Sequence, residues 1–229
     1  ASAISLERQF AEENEAGEVE LTDEEVSRSL VIPSLSLIND TTLWGSVGPI
    51  AGGRSSFVVS RAWEPSGDFQ YTTAIVDVRR YLRLGMRHSL ALKLVGARSG
   101  GPDAQTFVAG GVNSIRGYDD FEFSGRNLAL ASLEFRYPFI DHLKIASPLP
   151  ITLWGLRGVA FLDAGAAWDE HFRGVVKEDG VRLRDIKAGI GVGVRMRLAF
   201  FVIRVDRAWR TDFHETGAAV THFALGAEF

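Results

Sequence analysis

The sequence predicts an all-β protein: a transmembrane antiparallel β-barrel with about ten strands in this chain and a long loop folded into the lumen. Three observations carry that prediction. Apolar and polar residues alternate strictly over many segments of strand length. Short connections alternate with long ones. A glycine-rich stretch presenting one arginine, residues 110–118 (GGVNSIRGY), runs directly into an alternating segment, 128–139 (LALASLEFRYPF).

The clearest element is 185–198. Ile186, Ala188, Ile190, Val192, Val194, Met196 and Leu198 fall on one side, and Asp185, Lys187, Gly189, Gly191, Gly193, Arg195 and Arg197 on the other. Side chains in a strand alternate faces with period two, so this segment has one apolar face and one charged or glycine face. A soluble sandwich would turn the apolar face inward; a membrane barrel turns it toward lipid and its charges toward a polar lumen.

The same pattern recurs along the chain. Faint strands lie at 2–11, 33–44 and 54–64. Ala74, Val76, Val78 and Leu82 oppose Thr73, Asp77, Arg79 and Arg83, and Leu90, Leu92 and Leu94 oppose Ser89 and Lys93. Ala129, Ala131, Leu133, Phe135, Tyr137 and Phe139 oppose Ser132, Glu134 and Arg136. Leu156, Ala160, Leu162, Ala164, Ala166 and Trp168 oppose Arg157, Asp163 and Gly165. Phe201, Ile203 and Val205 oppose Arg204 and Asp206, and the final strand sets Phe223, Leu225, Ala227 and Phe229 against His222, Gly226 and Glu228. Segments of roughly ten residues are the length a tilted membrane strand requires.

The connections are tight at 84–87 and 199–200, and long at 12–30, 99–126 and 169–184. Residues 12–30 carry seven glutamates and one aspartate and are expected to form an acidic solvated loop, with a helix over 21–29 as the weaker option. Residues 99–126 are expected to be the lumen-plugging loop. Aromatic residues near strand ends (Trp44, Trp63, Tyr81, Tyr137, Trp168 and Trp209) suit interfacial girdles as well as an ordinary core.

Bulk properties agree with a barrel. The 229 residues are enough for one domain spanning 1–229. Mean hydropathy is +0.04, and no apolar run approaches the ~20 residues of a membrane helix; barrel strands, being half apolar, escape that test. There is no cysteine, which excludes disulfides and thiolate metal sites, and the net charge of −4 gives no electrostatic footprint for nucleic acid. The chain begins with Ala1 and shows no signal peptide, as expected of a mature form or the C-terminal part of a longer protein.

The order of motifs is specific. Ile115-Arg116-Gly117-Tyr118 is followed by Ser132-Leu133-Glu134-Phe135, then by Phe161-Leu162-Asp163-Ala164-Gly165 with Trp168, then by a terminal Gly226-x-x-Phe229. Over residues 33–229 this resembles the outer-membrane assembly superfamily, which includes BamA/TamA-type insertases, two-partner secretion transporters and bacterial surface-antigen proteins. The resemblance implies that Arg116 sits at the tip of a loop folded into the lumen, where it meets Glu134 and Asp163. Both carboxylates also fall on the polar faces of their strands, and a guanidinium can bridge two carboxylates on neighbouring strands. Arg116, Gly117, Tyr118, Glu134 and Asp163 would then act as a structural latch. The terminal strand, through Phe223, Leu225, Gly226 and Phe229, resembles the signal by which assembly machinery recognises client barrels.

The resemblance places the protein in the bacterial outer membrane. Its partners would be outer-membrane lipid and lipopolysaccharide, the assembly machinery, and client polypeptides or other subunits. Five strands follow the arginine loop, as in the family, but about five precede it, so the chain is either a small barrel or the C-terminal part of one with about 12 to 16 strands. Without upstream periplasmic domains, an anchoring or surface-antigen barrel that does not transport is the alternative role. A soluble sandwich or lipocalin-like binding protein is a third reading.

No enzyme, cofactor or metal site is expected. His88, His142, His171, His214 and His222 lack ligand spacing. Gly189-x-Gly191-x-Gly193 occupies alternating strand positions rather than a strand-to-helix turn, which argues against a dinucleotide loop. Those glycines are expected to thin the wall or let the plugging loop approach. Asp77 with Arg79, and Asp206 with Arg204, are expected to be lumenal ion pairs.

Overall fold

The computed structural model describes all residues except 1, 14–18, 46, 66, 86, 147, 149–150, 178–180, 199–200 and 227–229. Its strands are β1 (Ser2–Glu13), β2 (Val19–Leu30), β3 (Ser34–Asp40), β4 (Leu43–Trp44), β5 (Pro49–Trp63), β6 (Gln70–Leu84), β7 (His88–Gly100), β8 (Phe107–Ala109), β9 (Phe123–Gly125), β10 (Asn127–Ile145), β11 (Ile151–Trp168), β12 (Val175–Lys177), β13 (Val181–Leu183), β14 (Lys187–Leu198), β15 (Phe201–Thr211) and β16 (Thr216–Leu225). Among the described residues no helix is long and apolar enough to cross a membrane, which says nothing about crossing by strands.

One ten-stranded sheet dominates, in the order β16-β15-β14-β11-β10-β7-β6-β5-β3, with β4 beside β5. Its pairings are antiparallel throughout. Consecutive strands pair because short turns return the chain beside itself. Among the described residues the outer strands β3 and β16 do not pair, so the expected antiparallel sheet is present but a closed barrel is not. Of the expected tight turns, Met86 and residues 199–200 lie outside the described residues.

The N-terminal region differs from the sequence expectation. The strand expected at 2–11 exists as β1, but it pairs only with β2 and adds nothing to the main sheet. The acidic stretch 12–30 is not one loop, because β2 takes up Val19–Leu30. Val19, Leu21, Thr22, Val26 and Leu30 are compatible with a strand, and the backbone of the stretch pairs with β1; its glutamates had suggested only solvation.

The faces of the main sheet are inverted relative to a soluble protein. Leu94, Leu133, Phe135, Val192, Val205 and Phe223 are all more than a third exposed, whereas Glu134, Asp163 and Asp206 are fully buried. The register aligns these positions across strands: Ser132 lies opposite both Lys93 and Asp163, and Glu134 opposite Phe161. One face is therefore a continuous apolar surface and the other a continuous polar one. Tyr81, grouped by sequence with the interfacial aromatics, lies on the polar face instead. It is buried with its ring 5.8 Å from the Arg136 guanidinium carbon. Its odd-numbered position in β6 is the parity of Asp77 and Arg79.

The sheet curls around its polar face. In a flat sheet β7 and β16 would lie roughly 24 Å apart, five strand spacings. Yet Lys93 on β7 and His222 on β16 both reach the same short stretch of loop, Lys93 donating to the Asn113 carbonyl and His222 accepting from the Gly117 amide. A second insertion enters from the other end. Val47 and Pro49, at the turn into β5, are buried, and the Pro49 carbonyl accepts a 3.1 Å hydrogen bond from Arg136 on β10.

Candidate functional site

Residues 101–126 connect β7 to β10 and fold back over the polar face. The short β8–β9 ribbon anchors the base of this loop, packing Ala109 against Ala97 and Leu128. The tip then turns at Gly117, whose φ of +97° is left-handed backbone that disfavours any residue with a Cβ. This geometry drives Ile115 and Arg116 down onto the sheet, where both are buried.

The Arg116 guanidinium is held on nearly every side. Its Nε and NH2 donate to the two oxygens of Asp163 at 2.6 and 2.8 Å, and its NH1 donates to Glu134 Oε1 at 2.6 Å. Its backbone amide also donates to Asp163, at 3.1 Å, and Ser132 Oγ lies 3.3 Å from NH2. The guanidinium plane stacks on Phe161, 3.5 Å from the ring centroid. Burial works against the charge, but Glu134 and Asp163 outweigh it and hold the Arg116 pKa above the ordinary guanidinium range.

A wider ring of charges surrounds this contact. Arg136 donates Nε and NH2 to Glu134 Oε2 at 3.0 and 2.8 Å, and Asp206 lies 3.5 Å from Arg116 NH1. The expected pairing of Asp77 with Arg79 is present at 2.5 Å. The expected pairing of Asp206 with Arg204 is present at 3.9 Å, and Asp206 also forms a closer, bidentate pair with Arg195 on β14. Arg195 reaches Asp206 from the neighbouring strand, while Arg204 is drawn toward the loop, donating to the Asn113 side chain and the Val112 carbonyl at 3.3 Å.

The glycine series on β14 explains how the loop sits so close. A Cβ at Gly189 would run into the Arg116 carbonyl, one at Gly191 into the Phe161 ring, and one at Gly193 into the Asp206 carboxylate. Tyr118 follows the turn and donates from its hydroxyl to the Ala188 carbonyl at 3.3 Å, with the Arg210 guanidinium 4.6 Å from its ring centroid. Burial raises the Tyr118 pKa, so the phenol keeps the proton it donates.

The structure thus brings Arg116, Gly117, Tyr118, Glu134 and Asp163 into one cluster. Phe223 and Leu225 stand apart on the exposed apolar face of β16, Gly226 follows at φ +125°, and Phe229 lies outside the described residues. Sequence reading gave no role to Phe161, Arg195 or the 47–49 insertion, and it put His222 on the polar side of the last strand without giving it a partner. Strand parity places Phe161 with Asp163 and His222 with Asp206; no sequence signal shows that either reaches the loop.

His222 Nε2 accepts a 2.9 Å hydrogen bond from the Gly117 amide and ties the loop tip to the outermost strand. His222→Phe is expected to cost about 1 kcal/mol, the net worth of a neutral hydrogen bond, and to raise hydrogen exchange at Gly117. Unchanged exchange at that amide would show that the contact does not hold the loop.

The model of the Omp85 superfamily domain matches residues 39–229, most of the chain and all of this site. The chain belongs to the Omp85 superfamily. Omp85 proteins are outer-membrane proteins, and at the coarse level the superfamily is one of outer-membrane assembly and translocation that works with assembly machinery and clients. No curated protein matches the chain. The Omp85 match covers every strand of the sheet from β4 to β16, so the arginine loop and the carboxylates that receive it lie within one family domain.

Proposed function

We propose that this chain forms the wall of an outer-membrane β-barrel that inserts or translocates polypeptides, with residues 99–126 as a lumenal plug latched by Arg116. The observation that carries the reading is a loop arginine withdrawn from solvent and held by carboxylates from two neighbouring strands, inside an Omp85 domain. In this reading the polar face lines the lumen, and the apolar face meets lipid and, at its outer rim, lipopolysaccharide. The chain then acts by presenting strand edges and gating its interior rather than by catalysis. The outer edge of β16, unpaired among the described residues, would template pairing with an incoming strand, and the apolar end of β16 would be what assembly machinery reads when this barrel is itself the client.

Reconstitution in liposomes tests the activity. The protein is expected to speed the folding of an unfolded client barrel several-fold over empty liposomes. No acceleration by correctly inserted protein would sink the insertase role and favour a barrel that anchors or displays. The lipid-facing assignment has its own test. Leu133→Arg is expected to destabilise the membrane-folded protein by about 2–4 kcal/mol, the penalty for arginine near a bilayer midplane; a neutral effect would place Leu133 in water.

A further inference from the structure

We propose that the cavity between the β5–β6 turn and the base of the arginine loop binds the saccharide headgroup of an outer-leaflet glycolipid. The cavity measures about 630 Å³ and reaches Pro102 at the loop base. Its lining combines two aromatic residues, Trp63 and Phe69, with Arg61, Glu64, Asp68 and Gln70. Such a volume falls within the roughly 300–1,000 Å³ of small-molecule sites. The proposal rests on the reading that the apolar face meets lipid, but not on transport.

Position and chemistry together select the ligand. The β5–β6 turn shares its end of the sheet with the long connections 101–126 and 169–186, and the short connections after β6 and β14 lie at the other end. In outer-membrane barrels the long loops face outward. On β5, Phe57, Val59, Arg61 and Trp63 alternate onto one face, where Phe57 is exposed, and Gln70 lies opposite Trp63. The cavity therefore begins where the apolar face ends, at the level of lipid headgroups, a depth that suits tryptophan. An aromatic ring offers a flat apolar platform to the C–H face of a sugar. Arg61, Glu64, Asp68 and Gln70 offer donors and acceptors to its hydroxyls. Two carboxylates to one guanidinium in the lining oppose a phosphate, so the sugar ring is the group recognised. The walls are also preformed. The Glu64 amide donates to the Phe69 carbonyl at 2.9 Å, and Phe69 packs edge-on against Tyr71 with ring centroids 5.8 Å apart. The Gln70 amide donates to the Asp103 carboxylate at 2.9 Å, and the Asp103 amide returns a bond to the Gln70 carbonyl at 3.2 Å. A site already ordered loses little entropy on binding.

The test is titration of the protein, held in a sugar-free zwitterionic detergent, with deacylated lipopolysaccharide, read by calorimetry and by the thermal midpoint. Saturable binding is expected. Intact lipopolysaccharide should bind more tightly, because its acyl chains gain the apolar face, and inorganic phosphate should not compete. Trp63→Ala is expected to weaken saccharide binding about tenfold, the scale of one aromatic contact. Asp68→Ala, at an exposed turn position, should weaken it several-fold and decides the matter should the Trp63 variant fail to fold. Trp44→Ala removes an exposed tryptophan at the opposite end of the sheet and should leave binding unchanged. Absence of saturable saccharide binding, competition by phosphate, or an affinity unmoved by Asp68→Ala would overturn the proposal. Protein that behaves as expected on Leu133→Arg yet ignores the saccharide would remove this site and leave the lipid-facing reading standing.

Discussion

Arg116→Ala is expected to release residues 101–126 from the sheet and to destabilise the protein by about 3–5 kcal/mol, the cost of breaking a buried ion pair from one side. The magnitude follows from what remains. Glu134 and Asp163 have no access to solvent, and truncation removes the donors that Arg116 supplies to both. Arg136 would still serve one Glu134 oxygen and Ser132 one oxygen of Asp163, which leaves Asp163 the worse provided. Limited proteolysis within 101–126, alongside denaturant unfolding in detergent, measures both effects. Arg116→Lys should recover only part of the loss, because an ammonium cannot present the planar fork that meets both Asp163 oxygens and Glu134 together. A loop equally resistant to protease in the alanine variant would show that its docking comes from Ile115, Tyr118 and the β8–β9 ribbon instead.

Gly189→Val is expected to undock the same loop while leaving every charge in place. The new side chain would occupy the position of the Arg116 carbonyl, so either the loop lifts or β14 shifts, at a cost of about 1–3 kcal/mol typical of overpacking. The expected readout is proteolysis of 101–126 resembling that of Arg116→Ala, with a smaller loss of stability. Gly96→Ala is the control, since a Cβ there meets nothing within 4 Å, and it should be silent. If Gly189→Val leaves the loop protected, the close approach of β14 is not what seats it.

Much of this arrangement could be read along the chain because strand parity is a local property. Alternation on β10 and β11 placed Glu134 and Asp163 on polar faces, and the structure puts Arg116 between them. Parity also foretold which residues share a face with the Gly189, Gly191 and Gly193 series. Errors arose where parity was set aside: Tyr81 was grouped with interfacial aromatics on ring chemistry although its parity puts it with Asp77 and Arg79, and acidic composition was taken to exclude pairing in residues 12–30. Asp206 does pair with Arg204, but its closer partner was not legible along the chain. Arg204 lies two residues away on the same strand, but Arg195 reaches across from β14, and only the register and the pull of the loop on Arg204 decide between them.

The sequence by itself determined the all-β class, the strand faces, the family resemblance and the residues around Arg116, because period-two patterning and motif spacing survive without coordinates. The tertiary structure alone decided what curvature brings together: Lys93 and His222 on one loop, and Pro49 against Arg136. Those contacts join residues as far as 105 positions apart and depend on how tightly the sheet curls, a sum over many strand twists that no single segment encodes.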